Sequence, residues 1–189
     1  MGLVYSASLR QPENCHGTII PICRSLPRNV SQEVKDRAVI NHPLRKLLMP
    51  SKELLQGYKA QEKLYSKAVK HWQGKGYTDP TSYLCHLQVC GSWQKALETP
   101  EPDLPERPDL WYIRGYREQI GKDLSYVREQ LGLLCIKAKE EDRSHTLTCW
   151  EPAGEFCHRN LVMQCIVRWF PESYGGCDVP VDVLVNSGP

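Results

Sequence analysis

The chain has 189 residues, with 24 basic and 22 acidic side chains and a net charge of +2. So small an excess gives no general attraction for nucleic acid or membrane surfaces and leaves only local patches to argue from. No run approaches about 18 uninterrupted apolar residues, so no membrane-spanning helix and no membrane partner is expected. The N-terminal stretch has no charged start followed by an apolar run, hence no signal peptide is expected. Nine cysteines, at 15, 23, 85, 90, 135, 149, 157, 165 and 177, are odd in number and lack framework spacing. They read as reduced thiols, with the cytoplasm as the expected compartment.

In chain order, Gly2 to Ser8 reads as a first strand and Thr18 to Cys23 as a second. Pro21 inside the second favours a sheet edge or a bulge. Residues 25–43 read as a loop or short helix. Ser51 resembles an N-cap, followed by Leu54, Leu55, Tyr58, Leu64, Ala68, Val69 and Trp72 at helical spacing. Gly57 interrupts that pattern and leaves open one helix or two meeting near Tyr58, before Gly74 and Gly76 end it. Tyr83 to Leu97 reads as a strand followed by a helix, or as one short helix. Pro100, Pro102, Pro105 and Pro108 among acids mark an extended surface loop.

Ile120, Leu124, Val127, Leu131 and Leu134 then predict one long amphipathic helix ending near Lys139. His145 to Trp150 reads as a buried central strand, residues 151–155 as a tight loop, and 156–170 as a helix. Leu161, Val162, Cys165, Ile166 and Trp169 are its expected inward side chains. Gly175-Gly176 ends it, and Val179 to Val185 reads as a last strand. Strands alternating with helices predict an α/β fold with a mainly parallel sheet and helices on both faces.

Ligands of parallel α/β sheets gather at the carboxyl ends of strands, where loops lead into helix starts. The segment TLTCWEPAGEFCHRNL has that arrangement. The first turn of its helix offers unpaired N–H groups and partial positive charge, and Arg159 adds a bidentate cation. An anion site is the expectation there. Cys157, at the helix start beside His158, is a candidate nucleophile, because such surroundings lower a thiol pKa. The plainer alternative is that Cys157 packs and His158 caps the loop. Glu151 is the nearest carboxylate, either a general base or a partner for an arginine.

The segment LTCWEPAGEFCHRNLVMQCI resembles the C-terminal signature of the domain of unknown function 488 family. In that family a strand ends in cysteine and a short loop leads to Cys-His-Arg opening a helix. Cys23-Arg24-Ser25 resembles its second strand, which ends in an arginine. The stretch from Leu48 to Lys59 is similar to its Ala-Pro-Ser-Trp-Glu-Leu block, and Ser173 to Gly176 loosely matches its ending. The resemblance implies a single Rossmann-like α/β domain over 1–189, with an insertion at 77–115 that has no counterpart. It carries no settled activity. It implies that Arg24, Cys149, Cys157, His158 and Arg159 converge. From its place at an expected strand end, Arg24 reads either as a surface charge or as a second wall facing Arg159 across an anion.

Lys63, Lys67, Lys70 and Lys75 interleave with Tyr58-Lys59 and Trp72, a stripe able to follow a nucleic-acid backbone or simply a solvated helix face. Cys85, His86 and Cys90 make a poor zinc set, since the spacing lacks a second close pair. No metal or cofactor is expected, and no Walker loop, dinucleotide turn or nucleophile elbow is present. Two readings stay open: a small enzyme acting on a small anionic, nucleotide-like ligand at Arg24, Glu151, Cys157, His158 and Arg159, or a non-catalytic binder of nucleotide or nucleic acid. A third is a protein-interaction factor using the proline-rich 99–108 loop. Oligomeric state is not readable from the sequence.

Overall fold

A computed structural model of the protein describes residues 1–26, 28, 30–151 and 157–177. The expected strand at 179–185 and the loop residues 152–155 lie outside the described residues. Cα packing divides the chain into two compact units, Met1–Ser51 with Tyr116–Pro189, and Lys52–Gly115. Among the described residues no helix is long and apolar enough to cross a membrane.

The first unit is built on four parallel strands, β1 (Val4–Ser8), β2 (Thr18–Pro21), β3 (His145–Cys149) and β4 (Tyr174–Gly176), in the order β2-β3-β1-β4. Every residue of β3 is buried, so both of its faces are covered, as parallel sheets require. This is the α/β Rossmann-like architecture expected from the alternation of strands and helices. Pro21 lies in the outermost strand, where a missing N–H costs no ladder bond. β1 and β3 run in register from Val4↔His145 to Ser8↔Cys149, and β2 meets β3 from Thr18↔His145 to Pro21↔Thr148. Ser8, Pro21 and Cys149 therefore finish at one carboxyl edge.

β4 corrects the sequence expectation, which gave Gly175-Gly176 only a helix-ending role. A Cβ at Gly175 would stand 2.5 Å from the Tyr5 ring, so the bare backbone is what lets this strand lie beside β1. The helices of the first unit are α1 (Gln32–Arg37), α2 (Pro43–Leu48), α7 (Leu124–Glu140) and α8 (His158–Trp169). Ser31 caps α1 by accepting from Val34 N, and Pro43 opens α2. Of the expected stripe, α7 buries Val127, Leu131 and Leu134, with Ala138 beside them, whereas Leu124 is exposed and Ile120 belongs to a separate helix, α6 (Pro108–Gly121).

His145, at the start of β3, is buried, and neither ring nitrogen has a hydrogen-bond partner among the described residues. Burial first, then the charges of Lys137 and His42, lower its pKa, with Arg143 adding to this and Glu141 opposing it. The unfolded chain thus takes up this proton more readily than the native one, and stability falls as pH drops below the ordinary histidine value of about 6.5. A His145→Val variant should lose less melting temperature between pH 7 and pH 5 than the parent. Identical slopes in thermal melts would contradict this.

The second unit contains α3 (Lys52–Gln73), α4 (Tyr83–Cys90), α5 (Trp93–Glu98) and the first part of α6. α3 runs unbroken through Gly57, settling the open choice in favour of one helix. Gly57 is there for packing, since a Cβ would collide with the indole ring of Trp111. Gly115 lies within the continuous α6 for the same kind of reason, with Leu54 Cδ1 2.6 Å from its would-be Cβ. Gly57→Ala gains about 1 kcal/mol of helix propensity but overpacks against a ring at a cost of about 1–3 kcal/mol. A net loss of up to about 2 kcal/mol is expected in urea unfolding.

Tyr83 to Leu97 is neither strand-and-helix nor one helix. Gly91, at φ 76, ends α4 in the left-handed conformation and Ser92 caps α5, accepting from Lys95 N. Residues 99–107 have no regular secondary structure, as the prolines require.

Candidate functional site

β3 ends at Cys149 and α8 opens at Cys157, so a strand end and a helix start bring two thiols together. Cys157 is the N-cap residue, in extended conformation (φ −149, ψ 148), yet its side chain makes no cap bond. Its Sγ instead lies 3.1 Å from Glu151 Oε2, to which the protonated thiol donates, and 3.6 Å from His158 Nδ1. Cys149 Sγ stands 3.8 Å from the same Nδ1. On the other side of the ring, His158 Nε2 lies 3.0 Å from the Ile22 carbonyl. A carbonyl only accepts, so Nε2 carries hydrogen and the neutral ring turns the Nδ1 lone pair toward the two thiols.

The parallel register makes this possible. Ile22 N donates to Thr148 O at 2.9 Å, which holds the end of β2 beside β3. Tyr116 completes the wall, its ring centroid 5.4 Å from that of His158 and its hydroxyl donating to Leu48 O at 2.6 Å. Arg159 is fully buried, and its Nη1 donates to the Glu151 main-chain oxygen at 3.0 Å. Cys23, also buried, is hydrogen-bonded with Cys149.

These contacts separate the protonation states. Burial works to raise the Cys157 thiol, but its bond with Cys149 and the charge and bond of His158 outweigh it, and the pKa is lowered to about 6. His158 is raised: burial opposes its charge, and the Cys157 thiolate, the bond to Ile22 and the Glu151 carboxylate more than offset that. Burial also opposes ionised Glu151, yet bonds from Cys149 and Cys157 hold it low. Cys149 is pushed up by its bonds with Cys157 and Cys23 and by burial. These shifts favour proton transfer from Cys157 to His158, giving a thiolate facing an imidazolium, with Cys149 held as a donating thiol.

The same side chains have metal-ligand character. One ligand atom each from Cys149, Glu151, Cys157 and His158 lies within 4.8 Å of all the others. The other sequence candidate does not have this freedom. Both nitrogens of His86 are engaged, Nδ1 with Tyr77 Oη at 2.9 Å and Nε2 with Ala96 O at 3.1 Å.

Of the site residues expected from the sequence, Glu151, Cys157, His158 and Arg159 come together. Arg24 is exposed and its Nη1 donates to Pro50 O at 3.1 Å, while its own carbonyl accepts from Arg45. Cys149 entered the sequence reading only through the family resemblance, although its place at the end of a strand that leads to Cys157 could have found it. Cys23 was noted as part of a strand end and not as a thiol. Tyr116 had no sequence signal. Comparisons with protein-family models, curated proteins and solved structures find no match for this chain. The likeness to the domain of unknown function 488 family thus rests on the residues quoted above.

Proposed function

We propose that the protein is a small enzyme that uses Cys157 as a nucleophile on an anionic, nucleotide-like substrate. The observation that carries this reading is the orientation of His158, tied to Ile22 through Nε2 with Nδ1 3.6 Å from Cys157 Sγ. A nucleophile, an adjacent base and a third group orienting the base is the arrangement covalent catalysis needs. The thiolate would attack the electrophilic centre, the bond to the leaving group would break, and His158 would give its Nδ1 proton to the departing atom. Water, deprotonated by His158, would then release the product and return the thiolate. The anionic class is favoured by the buried guanidinium of Arg159 and by the start of α8, whose N-cap side chain makes no cap bond.

Iodoacetamide labelling at pH 5.5 in the presence of chelator tests the reading. With its pKa near 6, Cys157 is about one-quarter thiolate there, whereas an ordinary thiol is about one-thousandth. Mass spectrometry should find Cys157 modified first, ahead of the more exposed Cys90, Cys165 and Cys177. Labelling of Cys157 no faster than these three would end its role as nucleophile.

A second reading, nucleic-acid binding, is favoured by a separate observation. At 100° per residue, Lys52, Lys59, Lys63, Lys67 and Lys70 of α3 fall within an arc of about 80° over about 27 Å of helix. All five are exposed, Glu53 and Glu62 lie outside the arc, and none of the five is ion-paired among the described residues. Five phosphate contacts predict a slope of log affinity on log salt of about −3.5 for single strands to −4.5 for duplex. Changing Lys59, Lys63, Lys67 and Lys70 to Gln should remove most of that slope. No retardation of DNA or RNA at low salt would exclude this reading.

A further inference from the structure

We propose that the buried cluster is a zinc site, with Cys149 Sγ, Cys157 Sγ, His158 Nδ1 and the Glu151 carboxylate at four tetrahedral corners, and that zinc silences Cys157. The inhibitory part rests on the reading of Cys157 as the nucleophile; the coordination part does not.

Geometry supports the coordination directly. With sulfur about 2.3 Å and nitrogen about 2.0 Å from zinc, a tetrahedral angle sets the sulfur–nitrogen edge at about 3.5 Å. The two such edges present measure 3.6 Å, from Cys157 Sγ to His158 Nδ1, and 3.8 Å, from Cys149 Sγ to the same atom. Of these three separations, that from Cys157 Sγ to Glu151 Oε2, 3.1 Å, is the one that has to open, by about 0.4 Å. One ligand atom from each of the four groups lies within 4.8 Å of the other three.

Donor chemistry selects the ion. Two thiolates and an imidazole suit zinc and disfavour magnesium or calcium, which take oxygen ligands. The support behind the first ligand shell is also present. His158 donates Nε2–H to Ile22 O at 3.0 Å, the bond that fixes which nitrogen a metal-binding histidine offers. Two thiolates and one carboxylate against zinc(II) leave one net negative charge. The buried Arg159 guanidinium, bonded to the Glu151 main chain at 3.0 Å, balances it. Zinc remains divalent on binding. Two protons leave to solvent, one from Cys149 and the one shared by Cys157 and His158.

A metal on Cys157 Sγ occupies the electron pair that would attack a substrate. The protein would then be an enzyme held idle by zinc and released when the ion is withdrawn. Cys85, Cys90 and His86 serve as an internal contrast, because the imidazole there is already bonded at both nitrogens.

The test uses the reduced, chelator-treated full chain, titrated with cobalt(II) and zinc(II), beside Cys149→Ser, Glu151→Gln and, as a control outside the cluster, Cys85→Ser. Expected are one equivalent bound, a cobalt spectrum with thiolate charge-transfer and four-coordinate visible bands, and at least tenfold weaker binding in Cys149→Ser but not in Cys85→Ser. Iodoacetamide labelling of Cys157 should stop at one equivalent of zinc and return with chelator. An octahedral cobalt spectrum, substoichiometric zinc, or binding unchanged in Cys149→Ser overturns the site. If Cys149→Ser fails to fold, the spectrum of the parent protein decides alone. Tight zinc with Cys157 inert even when metal-free removes the nucleophile and the inhibitory role, leaving the metal site. Fast labelling without zinc binding does the reverse.

Discussion

Replacing His158 with phenylalanine should slow alkylation of metal-free Cys157 at pH 7 about tenfold. The magnitude follows from two opposing effects. At a pKa of about 6 the thiol is some nine-tenths ionised at pH 7. Without the imidazolium, burial dominates and carries the pKa above the ordinary thiol value of about 8.5, so the thiolate fraction falls by about two to three orders of magnitude. A more basic thiolate is intrinsically more nucleophilic, with a Brønsted coefficient of about 0.4–0.5, and this returns a little over half of the loss on a logarithmic scale. The pH profile separates chemistry from packing. The parent should titrate near 6 and the variant well above 8, whereas a purely structural role for His158 would change the plateau rate and leave the midpoint in place.

Arg159→Met should be among the most destabilising single changes in the chain. The residue heads the largest fully buried side chains, and its guanidinium donates to the Glu151 carbonyl. Its loss removes a charged hydrogen bond worth about 1.5–3 kcal/mol and leaves the negative charges of Glu151 and Cys157 with only His158 to balance them. A total of about 3–5 kcal/mol follows, or roughly 10 °C in melting temperature for a protein of this size. Arg159→Lys keeps the charge and should fall between the two. An unaltered melting temperature in Arg159→Met would show that the cluster is not charged as described. The same measurement bears on zinc, because a metal-loaded cluster also needs the arginine's charge.

How much of this was readable in the sequence depended on distance along the chain. The helix start at Cys157-His158-Arg159 was readable because all its signals are local: a strand ending in Cys149, a turn, then helical spacing from His158 to Trp169. Pro21 marked an edge strand for an equally local reason, its missing N–H. Pairing was not readable. Nothing near Ile22 announces that its carbonyl will hold a ring 136 residues away. Arg24 sits at the expected strand end, yet its direction is set by Pro50 O, a partner fixed only by the fold. Glycines misled where their cause was a neighbour. Gly57 looked like a break in a helix but is a site of close packing against Trp111, and Gly175 looked like a stop but lies in a strand against Tyr5.

The position of β3 between β1 and β2 has a consequence for the order of assembly. The two N-terminal strands are not neighbours, so neither finds its partner strand until residues 145–149 have been synthesised, β2 having before that only its single bridge from Ile19 to Ala38. A ribosome-bound chain would carry two unpaired β-segments through most of translation, and the central ladder would close late, with high contact order. The thiol cluster can exist only after that closure, because Ile22, Cys149 and His158 meet across it. Its reactivity or metal uptake would therefore report completion of the native sheet, and could be followed in real time as a folding clock.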